Sequence, residues 1–223
     1  MDRAKIEEEA RHLQKEIYRA KSTLFPMNAH PLTMLRPEVA AQVLDLEYIV
    51  MDRIPTDQYG LEVAGLLDLP GNAMYISQRF NFRIQRFTAA HEIGHAVLHP
   101  NLPGLFHRDL PVFEMQFQKR PQIEQEADYF SACWLAPRKM VTEEFQNRFG
   151  KAPLRLSEDV AFHLRGKSTS DLFIEPSGGL KFPCAVASAQ KFGGHPFKSL
   201  ADHFNVSVSA MAIRLRELEL VRD

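Results

Sequence analysis

Two imidazoles and a carboxylate at the spacing His91-Glu92-Ile93-Gly94-His95 constrain this chain more than any other feature. On a helix, side chains four residues apart leave the same face one turn apart, so His91 and His95 can reach a single metal ion. Glu92 is turned by about 100° from His91 and falls beside such an ion, where it can address a bound water rather than become a further ligand. The pattern is H-E-x-x-H, which joins two zinc-binding histidines to a general base. Its flanks agree with it. Arg86-Phe87-Thr88-Ala89-Ala90 leads in and Ala96-Val97-Leu98-His99 follows, with no breaker before Pro100, which predicts a helix over residues 87–99 buried on most sides. Polar side chains in a buried helix are costly without partners, and a metal is a good partner.

A catalytic zinc keeps three protein ligands and leaves a fourth position open. His99, Glu124 and Glu126 are the candidates for the third. His99 continues the i, i+4 series but adjoins Pro100, which makes ligation by three successive histidines awkward. Asn101 stands where a metzincin would need histidine, so that class is excluded. Residues 121–137 are bracketed by Pro121 and Pro137, which can start and end a helix. On it Ile123, Ala127, Phe130 and Trp134 form a core stripe, while Glu124, Asp128 and Ser131 share one flank and Glu126 lies about 200° from Glu124. Only one of the two glutamates can face the metal. Glu124 is preferred, because Asp128, four residues on, can receive the free N–H of a zinc-bound histidine.

Three segments together resemble the ImmA/IrrE-like metallopeptidases, zincins that act on helix-turn-helix repressors. They are the arginine-phenylalanine-led helix of residues 86–99, the glutamate-rich helix of residues 124–137 closing on Leu135-Ala136-Pro137, and Leu200-Ala201-Asp202-His203-Phe204-Asn205-Val206-Ser207 with Arg214-Leu215 beyond. Family members carry asparagine or aspartate at the position of Asp128, and the glutamate four residues earlier looks like the metal ligand, which carries over to Glu124. Cys133-Trp134 departs from the smaller, more aliphatic residues of the family, a difference of packing rather than of chemistry. The resemblance implies an α+β, zincin-like fold, mainly helical with a small mixed β-sheet. It also implies a Zn²⁺-dependent endopeptidase with Glu92 as catalytic base, His91, His95 and Glu124 as metal ligands and Asp128 behind them. The implied substrate is a helix-turn-helix repressor, cut so that its genes are released.

Composition is that of a compact enzyme. A chain of 223 residues with 45% hydrophobic content can bury a sizeable core, and a formal charge of −1 makes no global case for nucleic acid or membrane. Cys133 and Cys184 are too far apart for a C-x-x-C site. The N-terminus lacks an apolar secretory core, and no run approaches the ~18 apolar residues of a membrane span, so the expected location is the cytoplasm.

The expected organisation is a metallopeptidase domain over residues 1–185 and a helix-turn-helix-like helical segment over residues 186–223. Helices are expected at residues 2–21 and 37–44, and strands at 48–50, 61–69 and 73–77, the last two joined by Pro70-Gly71. Residues 73–78 are a candidate edge strand for aligning an extended substrate. Residues 101–120 are a candidate lid or cleft wall, with His107 or Arg108 near the oxyanion, and residues 150–185 read as short strands and turns. Residues 186–223 hold five Lys or Arg and four Asp or Glu, thin for a phosphate-contacting surface. A packing module or substrate-docking surface is therefore favoured over DNA binding. The rival readings are a DNA-binding regulator that depends on Arg214 and Arg216, and a zinc-binding regulator without hydrolysis.

Overall fold

The computed structural model describes residues 1–56, 60, 62–101, 105–109, 121–165 and 179–222, the side chains of residues 105–109 and 165 excepted. The chain divides into two compact units, Met1–Leu135 and Ala136–Asp223. The boundary expected after residue 185 falls inside a helix of the second unit, Lys181–Ser188.

The first unit opens with α1 (Arg3–Arg19), capped by Asp2, whose side chain accepts from the Lys5 amide. Ile6, Ala10, Leu13 and Ile17 recur at helical spacing and are its buried stripe. After a short helix α2 (Lys21–Leu24) and a 3₁₀ turn (Pro31–Leu35), Pro37 starts α3 (Pro37–Val43). Strands β1 (Glu47–Met51), β2 (Val63–Asp68) and β3 (Ala73–Ser77) follow, then α4 (Phe82–Leu98), β4 (Leu105–Asp109) and α5 (Gln122–Leu135). The strands form one mixed sheet in the order β1-β3-β2-β4, with β1 parallel to β3 and the other pairs antiparallel. Helix α4 packs on β2 and β3 on one side and on α5 on the other, and α1 packs on α5. Gln14 of α1 donates its amide to the Cys133 and Trp134 carbonyls, groups that the end of α5 leaves without intrahelical partners.

Three expectations change here. Helix α4 begins at Phe82, ahead of the expected residue 87, because Asn81 caps it by accepting from the Arg83 and Ile84 amides at 3.1 Å each. Residues 73–78 do not form an edge strand: β3 lies inside the sheet, bonded to β1 on one side and β2 on the other, and the edges are β1 and β4. Among the described residues, 150–185 hold helices as well as short strands. The candidate lid at residues 101–120 falls largely outside the described residues. Only the backbone of β4 is described within its 105–109 stretch, so the oxyanion roles considered for His107 and Arg108 lie outside them too.

The second unit comprises α6 (Arg138–Phe149), β5 (Leu154–Arg155), α7 (Glu158–Arg165), α8 (Lys181–Ser188), the strand pair β6 (Lys191–Phe192) and β7 (His195–Pro196), α9 (Leu200–Phe204), α10 (Val208–Glu217) and β8 (Val221–Arg222). Strand β5 pairs in parallel with β8. Helix α8 packs on α9 and α10, and α9 also meets α6. Asn205, at φ 53°, ends α9 in the left-handed conformation that asparagine tolerates, and Ser207 then caps α10 by accepting from the Ala210 amide. Phe204, Val206, Met211 and Leu215 are buried around this turn. Arg214 is buried with them, donating from Nε to the Ala136 carbonyl at 3.0 Å and from Nη1 to Glu217 at 3.3 Å, so it cannot meet a phosphate as the DNA-binding reading requires. No helix among the described residues is long and apolar enough to cross a membrane.

Two substitutions probe this architecture by urea unfolding. Asn81→Ala should lower stability by about 1 kcal/mol through loss of the α4 cap. Arg214→Ala should lower it by about 2 kcal/mol, because a buried carbonyl and a carboxylate lose their donor.

Candidate metal centre

The centre is built where α4 and α5 run closest. Gly94 makes that approach possible: a Cβ added to it would lie 3.2 Å from Ala127 Cα, from the Ala127 carbonyl oxygen and from Phe130 Cδ1. With a hydrogen on α4 and only a methyl at Ala127, the helices come close enough for a side chain of α5 to reach the histidines of α4. Phe130 and Trp134, both fully buried, continue the contact along α5, and Ile123 is half-buried at its start. Arg86, at the head of the motif, has a structural place: it is buried and donates from Nη2 to the Leu35 carbonyl at 3.0 Å, tying the 3₁₀ turn to α4. Burial pushes its pKa down, partly offset by Glu38.

His91, His95 and Glu124 form the group that could hold a metal ion, with one ligand atom from each lying within 4.8 Å of the others. His91 Nε2 and His95 Nε2 are 3.0 Å apart, His91 Nε2 and Glu124 Oε2 are 3.2 Å apart, and His95 Nε2 and Glu124 Oε1 are 3.2 Å apart. A tetrahedral zinc with bonds of about 2.0–2.1 Å has its ligand atoms separated by about 3.3 Å, so the triangle has the size of one face of that coordination shell. The donor chemistry fits as well. Asp128 Oδ1 lies 2.9 Å from His91 Nδ1, and an Nδ1–H donated to that carboxylate leaves the Nε2 lone pair directed at Glu124 and His95. Lone pairs converging in this way need a cation among them. The residues therefore fit a zinc ion.

The electrostatics favour the ligand forms of Glu124 and His95. Burial alone would raise the Glu124 carboxyl, but hydrogen bonds and charge from His91 and His95 outweigh it and hold the group well below the usual carboxylate range. Burial also pushes His95 down, against an opposing pull from Glu124, which favours the neutral imidazole. A carboxylate and a neutral imidazole are ligand forms that a divalent ion requires.

The remaining candidates take other places. Glu126 faces away from the triangle, accepting from the Gln122 amide at 2.7 Å and lying 3.7 Å from His99 Nε2. His99 is the C-cap of α4 and stands outside the ligand group. Glu92 is fully buried on the side of α4 that meets the sheet, against Gly65 of β2. Sequence reasoning missed both glycines. A glycine inside a strand pattern does signal a close backbone approach, and that signal was present at Gly65.

Gly94→Ala should force a few tenths of an ångström between α4 and α5, costing about 1–3 kcal/mol in urea unfolding and weakening zinc uptake measured by competition with a chromophoric chelator.

Comparison with protein families matches residues 56–160 to the IrrE N-terminal-like domain, a family of peptidases. No curated protein matches the chain. The matched span contains both histidines, Glu92, Glu124 and Asp128, and His91, His95 and Glu124 among them make its candidate metal site. Across residues 56–160, then, this chain carries a metallopeptidase domain of the IrrE N-terminal-like family.

Proposed function

We propose that the protein is a cytoplasmic, zinc-dependent endopeptidase of the zincin type that cleaves a helix-turn-helix transcriptional repressor and so relieves repression. The observation that carries the enzymatic part is the triangle of His91 Nε2, His95 Nε2 and a Glu124 carboxylate oxygen, with Glu92 one position from the first ligand. Zinc bound there would supply Lewis-acid polarisation of the scissile carbonyl and of the attacking water. His91, His95 and Glu124 hold that position, and Asp128 orients His91 through Nδ1. Glu92 accepts the proton of the water at a carboxylate oxygen as the new C–O bond forms, then delivers it to the departing amine nitrogen as the C–N bond breaks. Its full burial keeps bulk water from competing for that proton.

The repressor substrate rests on the family likeness. Regulatory proteolysis is the role of the proteins that this chain resembles in its HEIGH helix, its glutamate-rich helix and its C-terminal helix pair. We read α9 and α10 as a helix-turn-helix-like segment that packs within its unit or docks substrate. The burial of Arg214 supports this reading over DNA binding, because it removes one of the two arginines on which a phosphate contact would depend.

Elemental analysis and a cleavage assay test the reading together. Wild type should hold about one zinc per chain, Glu124→Ala should lose it and Glu126→Ala should keep it. Glu92→Gln should retain zinc yet lose cleavage of a candidate repressor by a factor on the order of 10²–10⁴. Full activity in Glu92→Gln would point instead to a regulator with a non-hydrolytic zinc site.

A further inference from the structure

Gly65 stands in β2 where the sheet meets α4. A Cβ built on it would lie 2.3 Å from Thr88 Cγ2, 3.0 Å from Glu92 Oε1 and 3.4 Å from Glu92 Cγ. Its backbone is not in the positive-φ region, so conformation does not demand glycine there. Space does. Thr88 lies one turn before Glu92 on the same face of α4, and both are fully buried against the strand. The ladder between β2 and β4 shifts register between Val63 and Gly65, with Val63 opposite Asp109 and Gly65 opposite Arg108, so Ala64 is the extra residue of a bulge. Bulges bend a strand locally and recur beside active sites, where they re-aim what the strand presents. Here the bulge and the glycine coincide at the point where β2 touches the carboxylate.

We propose that Gly65 is a positioning residue for Glu92: the missing side chain lets β2 seat the carboxylate at the distance from the metal ligands at which it can take a proton from a zinc-bound group. The inference rests on the reading of Glu92 as the proton carrier. It concerns the carboxylate itself, since the tightest contact of the added Cβ with Glu92 is to Oε1. A carbon at 3.0 Å must push that oxygen away by a few tenths of an ångström, and a larger displacement follows if α4 itself is lifted by the contact with Thr88. Displacements of about 1 Å can cost on the order of 10²-fold in rate.

The test compares zinc-loaded wild type, Gly65→Ala, Thr88→Ser, Gly65→Ala/Thr88→Ser and Glu92→Gln. Thr88→Ser deletes the Cγ2 methyl, so the double variant has room to fold while its new Cβ still crowds Glu92. The probe is acetohydroxamic acid, which gives up its hydroxyl proton to a neighbouring base when it chelates zinc and needs no known substrate. Its Kd is read by calorimetry beside zinc content and the thermal midpoint. If Glu92 takes that proton, Glu92→Gln should raise Kd on the order of tenfold, the loss of one charge-assisted hydrogen bond. The double variant should raise it severalfold at a wild-type zinc content, with Thr88→Ser alone much closer to wild type. A double variant that binds the hydroxamate as tightly as wild type overturns the positioning role while Glu92 keeps its own. Loss of zinc from the double variant also overturns it, since the effect would then fall on the ligands. An unchanged Kd in Glu92→Gln removes the underlying reading, and the inference with it.

Discussion

The close contact of α4 with α5 at Gly94 and Ala127 is the constraint on which the site depends. Ligand atoms about 3 Å apart must come from helices whose backbones nearly touch, because a glutamate side chain spans only a few ångströms beyond its own helix. Gly94 supplies that proximity from within the motif, between Glu92 and His95, at a position that carries no chemistry of its own. Ala127 answers it from α5 between Glu124 and Asp128, the two residues that approach His91. The small residues and the polar residues thus alternate along the same short stretches, and neither set is useful without the other.

Converging acceptors would ordinarily destabilise such a contact. Two imidazole nitrogens and a carboxylate brought together in a buried seam repel unless a proton or a metal ion lies among them. The arrangement is pre-organised by groups that do not depend on the ion: Asp128 fixes the ring of His91, Gln14 ties the end of α5 to α1, and Arg86 anchors α4 to the 3₁₀ turn. Packing of this kind holds such groups in place at the expense of folding stability, and a metal ion bound there would return that free energy.

Much of this was legible in the sequence because the signals are local. The histidine spacing, the opposite flanks of Glu124 and Glu126 and the four-residue step to Asp128 are consequences of helical geometry, and the side chains take those directions in the structure. The failures are instructive for the opposite reason. Nothing near residues 73–78 reveals that β1 will pair with β3 in parallel and leave it inside the sheet, since that pairing joins segments separated by β2 in the chain. The rival DNA-binding reading of Arg214 could not be weighed locally either, since its partner is the carbonyl of Ala136, far away in sequence. Helix α4 began earlier than expected because Asn81 was not recognised as its cap.

Burial on all sides gives α4 its particular economy of placement. From Thr88 to His95 every residue is buried, with the sheet against one side and α5 against another, so this stretch of the helix has no solvent face on which to put polar groups. Its chemistry is instead divided between two neighbours. The side toward α5 carries the candidate metal ligands and receives Glu124, while the side toward β2 carries Glu92 and meets the bare backbone of Gly65. The roughly 100° of helix rotation between His91 and Glu92 is what turns these neighbouring side chains toward different elements.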